Sequence, residues 1–247
     1  MIKVVKIGGH VLDDASALQE FCAAFAALPG PKVLVHGGGA LASRLQEQLG
    51  QTPVKIAGRR VTDADTLQVV TMVYAGWCNK LIVSSLQALG CNAMGLSGCD
   101  GNVLTAQRRA PLDGVDYGFV GDVTPASVNT ALLKGLLDQG ITPVLTPINH
   151  DGAGQLLNTN ADTVAASVAA ALEAELYLCF EKDGVLDASG NVISKITAAD
   201  FEALKASGVV SDGMIPKLSN AFSALRSGTP SVRICPFTLS GGTVVTL

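Results

Sequence analysis

The chain has 247 residues, 48% of them hydrophobic, enough to bury a large core in one α/β domain or two lobes. A formal net charge of −4, with basic residues scattered in nothing longer than pairs such as Arg59-Arg60 and Arg108-Arg109, argues against bulk nucleic-acid binding. Six cysteines show no C-x-x-C pairing and no histidines at zinc spacing, and read as buried free thiols of a reducing cytosol.

The first apolar run, Ile2–Ile7, is a strand that carries Lys6 and ends in Gly8-Gly9, and a helix follows over Ala15–Leu28. The second strand, Lys32–His36, ends in Gly37-Gly38-Gly39, and a helix begins at about Ala40 and runs to Leu49. Gly58-Arg59-Arg60-Val61-Thr62-Asp63 reads as a loop before a long helix, Ala64–Leu89, that Thr62 or Asp63 caps. A strand at Asn92–Leu96 comes next. The glycine-punctuated stretch Val103–Val123 then suggests a hairpin or small lid beside the main sheet. Further on come a helix at Asn129–Gln139, a strand at Thr142–Ile148 and a soft boundary near Gly152–Leu157. The remaining elements are helices at Asp162–Ala174, Ala199–Ser207 and Met214–Ser227 and strands at Leu176–Phe180 and Ser231–Ile234.

Strands this apolar are covered on both faces, so the expected class is α/β: a three-layer α/β/α sandwich around a mostly parallel, open central sheet. Right-handed crossovers place the loops after the strands along one edge of that sheet. The whole of 1–247 reads as a single domain, with an N-terminal lobe of about 1–155 and a C-terminal lobe of about 156–247. Lys6 and the glycines interrupt any signal-peptide core, and the longest apolar helix stretch, Val164–Leu172, is too short to span a bilayer. A cytoplasmic protein without membrane or nucleic-acid partners is expected.

Two strand ends rich in glycine let backbone N–H groups approach an anion without a Cβ in the way. A lysine ending a buried strand calls for an anionic partner, which Lys6 would find there. At Gly37–Gly39 the amides of the following helix point to the same place. An arginine in the 58–63 loop suits bidentate capture of a carboxylate, although a solvated pair at a helix start explains it equally well. In Asn158-Thr159-Asn160-Ala161-Asp162, capping accounts for one of Asn158, Asn160 and Asp162 but not for all three. Lys217 follows Pro216 in a first helical turn, where a cation opposes the helix dipole unless something negative lies beside it.

The ordered set VKIGG, LVHGGG, GRRVTD, GWCNK, GLSGCDG, GFVGDV, LNTNAD and SDGMIPKL resembles the amino acid kinase family over almost the whole chain. The resemblance implies an open α/β/α sandwich and phosphorylation of the side-chain carboxylate of N-acetyl-L-glutamate by MgATP. The products would be N-acetyl-L-glutamyl 5-phosphate and ADP, in arginine biosynthesis. It gives Lys6 and Lys217 the role of neutralising the transferring phosphoryl group, with Asp162 holding both lysines in place. Gly38, Gly39, Arg60 and Asn158 would bind the acylated amino acid, with Arg60 on its α-carboxylate. Gly8, Gly9, Gly38, Glu181, Asp183 and Gly184 would surround the phosphates and nucleotide, with Mg²⁺ carried by ATP rather than by protein side chains. Glutamate's carboxylate is ionised at neutral pH and needs no general base, so the lack of a His or Cys catalytic set fits this chemistry.

Two segments depart from the family pattern. Cys179-Phe180-Glu181-Lys182-Asp183-Gly184 replaces the usual Thr/Ser-Asp-Val series at a strand end that contacts the nucleotide in relatives. Arg59 stands where relatives often have an apolar residue; a solvent-facing arginine is preferred to a cation for a larger, anionic acyl group such as N-succinyl. The start of the chain at its first strand, without the helical extension of arginine-inhibited hexameric relatives, implies a homodimer insensitive to arginine. A nucleotide and amino-acid sensor without turnover is the competing class, and joint retention of Lys6, Asp162 and Lys217 argues against it.

Overall fold

The computed structural model describes residues 1–56, 58–210 and 214–247 and, of His10, the backbone only. The motif residues Ser211, Asp212 and Gly213 lie outside the described residues. The chain runs through β1 (Lys3–Ile7), α1 (Gly9–Asp13), α2 (Ala15–Ala27), β2 (Lys32–His36), α3 (Gly39–Gln48), β3 (Lys55–Ile56) and β4 (Arg59–Arg60). Next, α4 (Ala64–Thr71) continues through a π-helical segment, Met72–Cys78, into α5 (Asn79–Ala88). Then come β5 (Ala93–Leu96), β6 (Gln107–Arg108), β7 (Gly121–Asp122), α6 (Thr130–Asp138), β8 (Thr142–Leu145), β9 (Ile148–His150) and β10 (Leu156–Asn158). The last elements are α7 (Ala161–Ala171), β11 (Glu175–Phe180), β12 (Lys195–Ile196), α8 (Ala198–Ala206), α9 (Met214–Arg226), β13 (Val232–Pro236) and β14 (Thr243–Val245).

Among the described residues, eight strands form one sheet in the order β12-β14-β13-β11-β1-β2-β8-β5, parallel except where β13 meets β14. Alternation along the strands builds two cores. Val4, Val33, Val35, Leu176 and Leu178 pack with α6, α7, α8 and α9 on one face. Val5, Ile7, Leu34, Tyr177 and Cys179 pack with α2, α3, α4 and α5 on the other. This is the expected three-layer α/β/α sandwich. β1 lies between β2 and β11, so the chain leaves it in one direction and returns on its other side. Ligands of doubly wound sheets bind at such a reversal, outside the carboxyl ends of the strands.

Several elements differ from the sequence expectation. The strand predicted at Thr142–Ile148 divides, because Pro147 has no N–H to give a ladder, and Ile148–His150 instead pairs antiparallel with Leu156–Asn158. That hairpin occupies the soft boundary placed near Gly152–Leu157. The 58–63 loop begins as the second strand of a short hairpin, with Lys55 opposite Arg60. Gly9 does not end a loop but opens the short helix α1. Asp63 rather than Thr62 caps α4, accepting from Thr66 N at 2.8 Å. The expected hairpin in 103–123 is present as β6 and β7. Its neighbour Gly118 (φ +73°) packs so closely on the Thr62 carbonyl that no Cβ fits. Of the cysteines, Cys99 is exposed and Cys91 half-buried, so the uniform burial expected of the thiols holds for four of six. The helical run Ala64–Ala88 is 25 residues long and apolar enough, by length and composition only, to cross a membrane. Here it packs on the sheet through Val70, Cys78, Ile82 and Leu86.

Candidate active site

The elements that meet at the carboxyl ends of β1, β2 and β11 bring three sequence-expected residues together. Lys6 precedes the end of β1 and shares the sheet face of Val4, which carries its side chain toward α7. Its Nζ lies 2.8 Å from Asp162 Oδ1, with the two side chains 11% and 31% exposed. Asp162 stands in the first turn of α7, where the positive helix end favours a carboxylate. Asn160 caps that helix, accepting from Asp162 N at 2.8 Å and Thr163 N at 3.1 Å. Lys217, in the first described turn of α9, places Nζ 4.1 Å from the centroid of the Phe180 ring, and Lys6 Nζ is 6.0 Å from the same centroid. Burial lowers the Lys217 pKa from the ordinary lysine value. The Glu181 carboxylate opposes that shift, and the Lys182 and Lys6 charges add to it.

The two glycine loops face each other. A Cβ on Gly9 would lie 3.7 Å from Gly39 N and 3.8 Å from Ala40 N, so the first amides of α3 border the β1 loop. Gly38 caps α3 at φ +156°, and a Cβ there would come within 2.8 Å of the Tyr74 ring and 3.0 Å of Cys78 Sγ. Only glycine satisfies both the backbone angle and that contact.

On one side of this junction lies a cavity of about 210 Å³, lined in part by Gly38, Gly39, Arg59, Arg60, Tyr74 and Asn158. Arg60 is 6% exposed and held on three sides. Its Nη2 donates to Gly39 O at 2.7 Å and to Ser43 Oγ at 2.9 Å, and its Nη1 donates to Gln46 Oε1. Gln46 is fixed in turn by donating to Thr66 Oγ1 at 3.0 Å. Asn158 Nδ2 donates to Thr62 Oγ1 at 3.0 Å, and Thr62 Oγ1 donates to Arg60 O at 3.0 Å. The loop carrying Arg60 is thereby tied to β10. Arg59 is half-buried and lines the same cavity, so it does not simply face solvent. Lys55 joins it there.

On the other side is a larger cavity of about 720 Å³, lined by Lys6, Gly8, Phe180, Glu181 and Lys217 among others. Of the expected nucleotide residues, Gly8 and Glu181 are on its wall, while Asp183 and Gly184 lie in the turn beyond. Gly184 (φ +158°) is packed against Thr243 and Val192, and so shapes the chain after β11.

Sequence reasoning missed several residues that build this site. Gln46 and Ser43 sit one helical turn apart on α3 and hold Arg60, but in the sequence they look like ordinary helix-surface residues. Phe180 lies in the segment that departs from the family pattern, and its ring is met by both lysines. Tyr74 reaches Gly38 from a π-helical segment that apolar periodicity does not distinguish from an α-helix. Burial raises its phenol pKa, and the neighbouring Arg60 charge opposes that rise.

Comparison with known proteins places the arrangement. The model of the amino acid kinase family matches residues 1–236. Acetylglutamate kinase of Cytophaga hutchinsonii is 48% identical over 239 residues, covering 94% of this chain and 90% of that protein. Acetylglutamate kinase of Phocaeicola vulgatus is 49% identical over 240 residues, covering 94% of this chain and 92% of that protein. Among solved structures, N-acetylglutamate synthase from Neisseria gonorrhoeae, complexed with coenzyme A and N-acetyl-glutamate, is similar at a TM-score of 0.85 and 26% identity. The match takes in all of this chain and 59% of that one.

Proposed function

The chain belongs to the amino acid kinase family, and from that membership we infer that it is the ATP-dependent kinase of N-acetyl-L-glutamate. It phosphorylates the side-chain carboxylate to give N-acetyl-L-glutamyl 5-phosphate and ADP, a step of arginine biosynthesis. The observation that carries this beyond likeness is the junction of two cavities. One is cationic and sized for a small acylated amino acid, and the other contains Lys6 and Lys217. Gly38 and Gly39 line the first and Gly8 the second, and Gly9 abuts Gly39.

The chemistry asks for alignment and charge stabilisation. The acceptor carboxylate is ionised near neutral pH and is itself the nucleophile. Arg60, pre-set by Gly39, Ser43 and Gln46, takes the α-carboxylate, and Asn158 takes part in the same cavity. Gly8 and Gly9 at the start of α1 and Gly38 and Gly39 at the start of α3 offer amides to the transferring phosphoryl group. Lys6 and Lys217 neutralise the charge that develops on it, and Asp162 orients Lys6. Glu181 borders the nucleotide, with Asp183 and Gly184 shaping the turn behind it. Mg²⁺ carried by ATP would supply shielding of the phosphate charge. The acylated amino acid is held mainly by the first 155 residues, whereas the ATP cavity is shared between the segment 6–17 and C-terminal residues such as Phe180, Glu181 and Lys217.

The six cysteines are free thiols, which suits a reducing cytoplasm. Met72 and Trp77, 50% and 63% exposed on the long helix, form an apolar face suited to a homodimer. Light scattering at micromolar concentration should give twice the chain mass of 25.2 kDa.

The deciding assay measures ADP release and hydroxylamine-trapped acyl phosphate with MgATP. N-acetyl-L-glutamate, N-succinyl-L-glutamate, L-glutamate, L-aspartate and carbamate serve as parallel acceptors. Turnover of N-acetyl-L-glutamate above the others is expected. ATP binding without turnover of any acceptor would replace this assignment with the sensor, and a clear succinyl preference would give Arg59 its larger, anionic acyl group.

A further inference from the structure

Behind the triple-glycine loop, away from the lining of both cavities, runs a buried polar chain. Asn79, the first residue of α5, is 1% exposed, and His36, the last residue of β2, is fully buried. Donors and acceptors along this chain have one consistent assignment. Lys80 Nζ can only donate and lies 3.1 Å from Asn79 Oδ1. Val144 O can only accept and lies 3.0 Å from Asn79 Nδ2. Together they fix the orientation of the amide, so its second N–H points at His36 Nε2, 3.1 Å away. Nε2 therefore accepts, the imidazole proton resides on Nδ1, and Nδ1 donates to Gly37 O at 2.7 Å.

The π-helical segment delivers Asn79 to that position. The Asn79 N–H bonds back to Tyr74 O, the five-residue step of a π-turn, which brings residues five apart toward one side of the helix. Tyr74 then packs against Gly38 while Asn79 reaches His36, so one helix supports two successive parts of the loop. The neighbouring strand is cut to fit, since Gly95 lies so close to Asn79 Oδ1 that a Cβ there would collide with it.

We propose that Lys80, Asn79 and His36 form a positioning relay that fixes the Gly37 carbonyl and so holds the Gly38–Ala40 amides in line for phosphoryl transfer. The three residues touch neither cavity and act through the loop. The inference rests on the phosphoryl-transfer function above. Burial of His36, with the Lys80 charge beside it, pushes the imidazole pKa down to about 4, which keeps it neutral and in this tautomer near neutral pH.

Conservative substitutions separate this role from simple core filling. In His36→Asn the amide nitrogen occupies the place of Nδ1 and keeps the donor to Gly37. In His36→Gln the amide oxygen takes the place of Nε2, accepting from Asn79, and the donor to Gly37 is lost. Mispositioning of a loop costs up to roughly 10²-fold in rate. His36→Gln should therefore lower kcat by that order, with KM for N-acetyl-L-glutamate within about threefold, while His36→Asn stays within about fivefold of the parent in kcat. Core filling would rank the larger glutamine equal to or above asparagine.

Lys80 is exposed, so Lys80→Met tests the relay in a variant whose core is untouched. Its kcat should fall by about three- to tenfold and recover in Lys80→Arg, thermal unfolding midpoints remaining equal. Equal kcat for His36→Asn and His36→Gln, or a change confined to KM, would overturn the relay. Should His36→Gln fail to fold, parent-like kcat in Lys80→Met would overturn it alone. Absence of turnover in the parent protein would instead remove the kinase assignment, so the two failures are distinguishable.

Discussion

Lys6 and Asp162 meet at 2.8 Å although they stand 156 positions apart in the chain, one at the end of the central strand and the other at the mouth of α7. The pair is only partly screened, since the lysine side chain is 11% and the aspartate 31% exposed. It leaves the ammonium group oriented with protons to spare for a phosphoryl oxygen. Lys6→Met should cost about 10²–10³ in kcat, the scale of a lost oxyanion donor, with little change in KM for the acceptor. Asp162→Asn keeps the lysine but frees its position, and should cost about tenfold less than Lys6→Met. Steady-state ADP release checks both. Equal kcat for Lys6→Met and the parent would remove Lys6 from the reaction.

Lys217 differs from Lys6 in its electrostatics. Burial lowers its pKa below 10.5, so it loses its proton at a lower pH than a free lysine would. Its charge is what the transferring phosphoryl group requires, so kcat/KM for ATP should fall on the alkaline side, with the limb below 10.5. Glu181 raises this pKa, hence Glu181→Gln should move the limb to lower pH. In Lys217→Arg the limb should vanish from the accessible range, because a guanidinium stays protonated above pH ~12. A limb unmoved by both substitutions would belong to another group.

Gly38 combines a positive φ with a close approach, and the two make separate demands. At φ +156° an alanine is strained whatever the space, and its Cβ would meet Tyr74 at 2.8 Å and Cys78 at 3.0 Å. Strain of this kind costs about 1–3 kcal/mol, and the contact adds to it. Gly38→Ala should lower the thermal midpoint by about 2–4 °C per kcal/mol lost and reduce kcat by at least tenfold, roughly. Gly50→Ala serves as the control: it too has a positive φ (+76°) but meets nothing within 4 Å, so its activity should be unchanged.

The strand ends and their glycines were legible in the sequence because they are local: an apolar β-branched run, then Gly-Gly or Gly-Gly-Gly. The alternation that divides Val4 from Val5 between two cores follows from the same period. What the sequence did not show depends on distant partners. Ser43 and Gln46 matter only because Arg60 folds back onto α3, and Asn79 matters only because a π-turn rotates it toward His36. A helix-period scan treats Ala64–Ala88 as one uniform stretch and cannot locate that turn. Pro147 interrupts an apolar run whose residues on both sides favour a strand, so the break it imposes does not show in the apolar pattern.

His36 also leaves a thermodynamic mark that does not depend on catalysis. Its pKa is about 4 in the folded protein against 6.5 ordinarily, because burial disfavours the imidazolium. Between those two values the unfolded chain binds a proton that the folded chain refuses, so stability rises with pH through this window and falls on acidification. The slope approaches about 1.4 kcal/mol per pH unit, and the contribution is level above the ordinary histidine range. The capping and turn carboxylates Asp63, Asp151, Asp187 and Asp200 have pKa values held below 3.8 by hydrogen bonds, so the stability they add is lost only at more acid pH. Urea unfolding measured from pH 7 to 4 should therefore show one-proton destabilisation, and His36→Asn should flatten it. A slope that persists in His36→Asn would assign the proton to some other site.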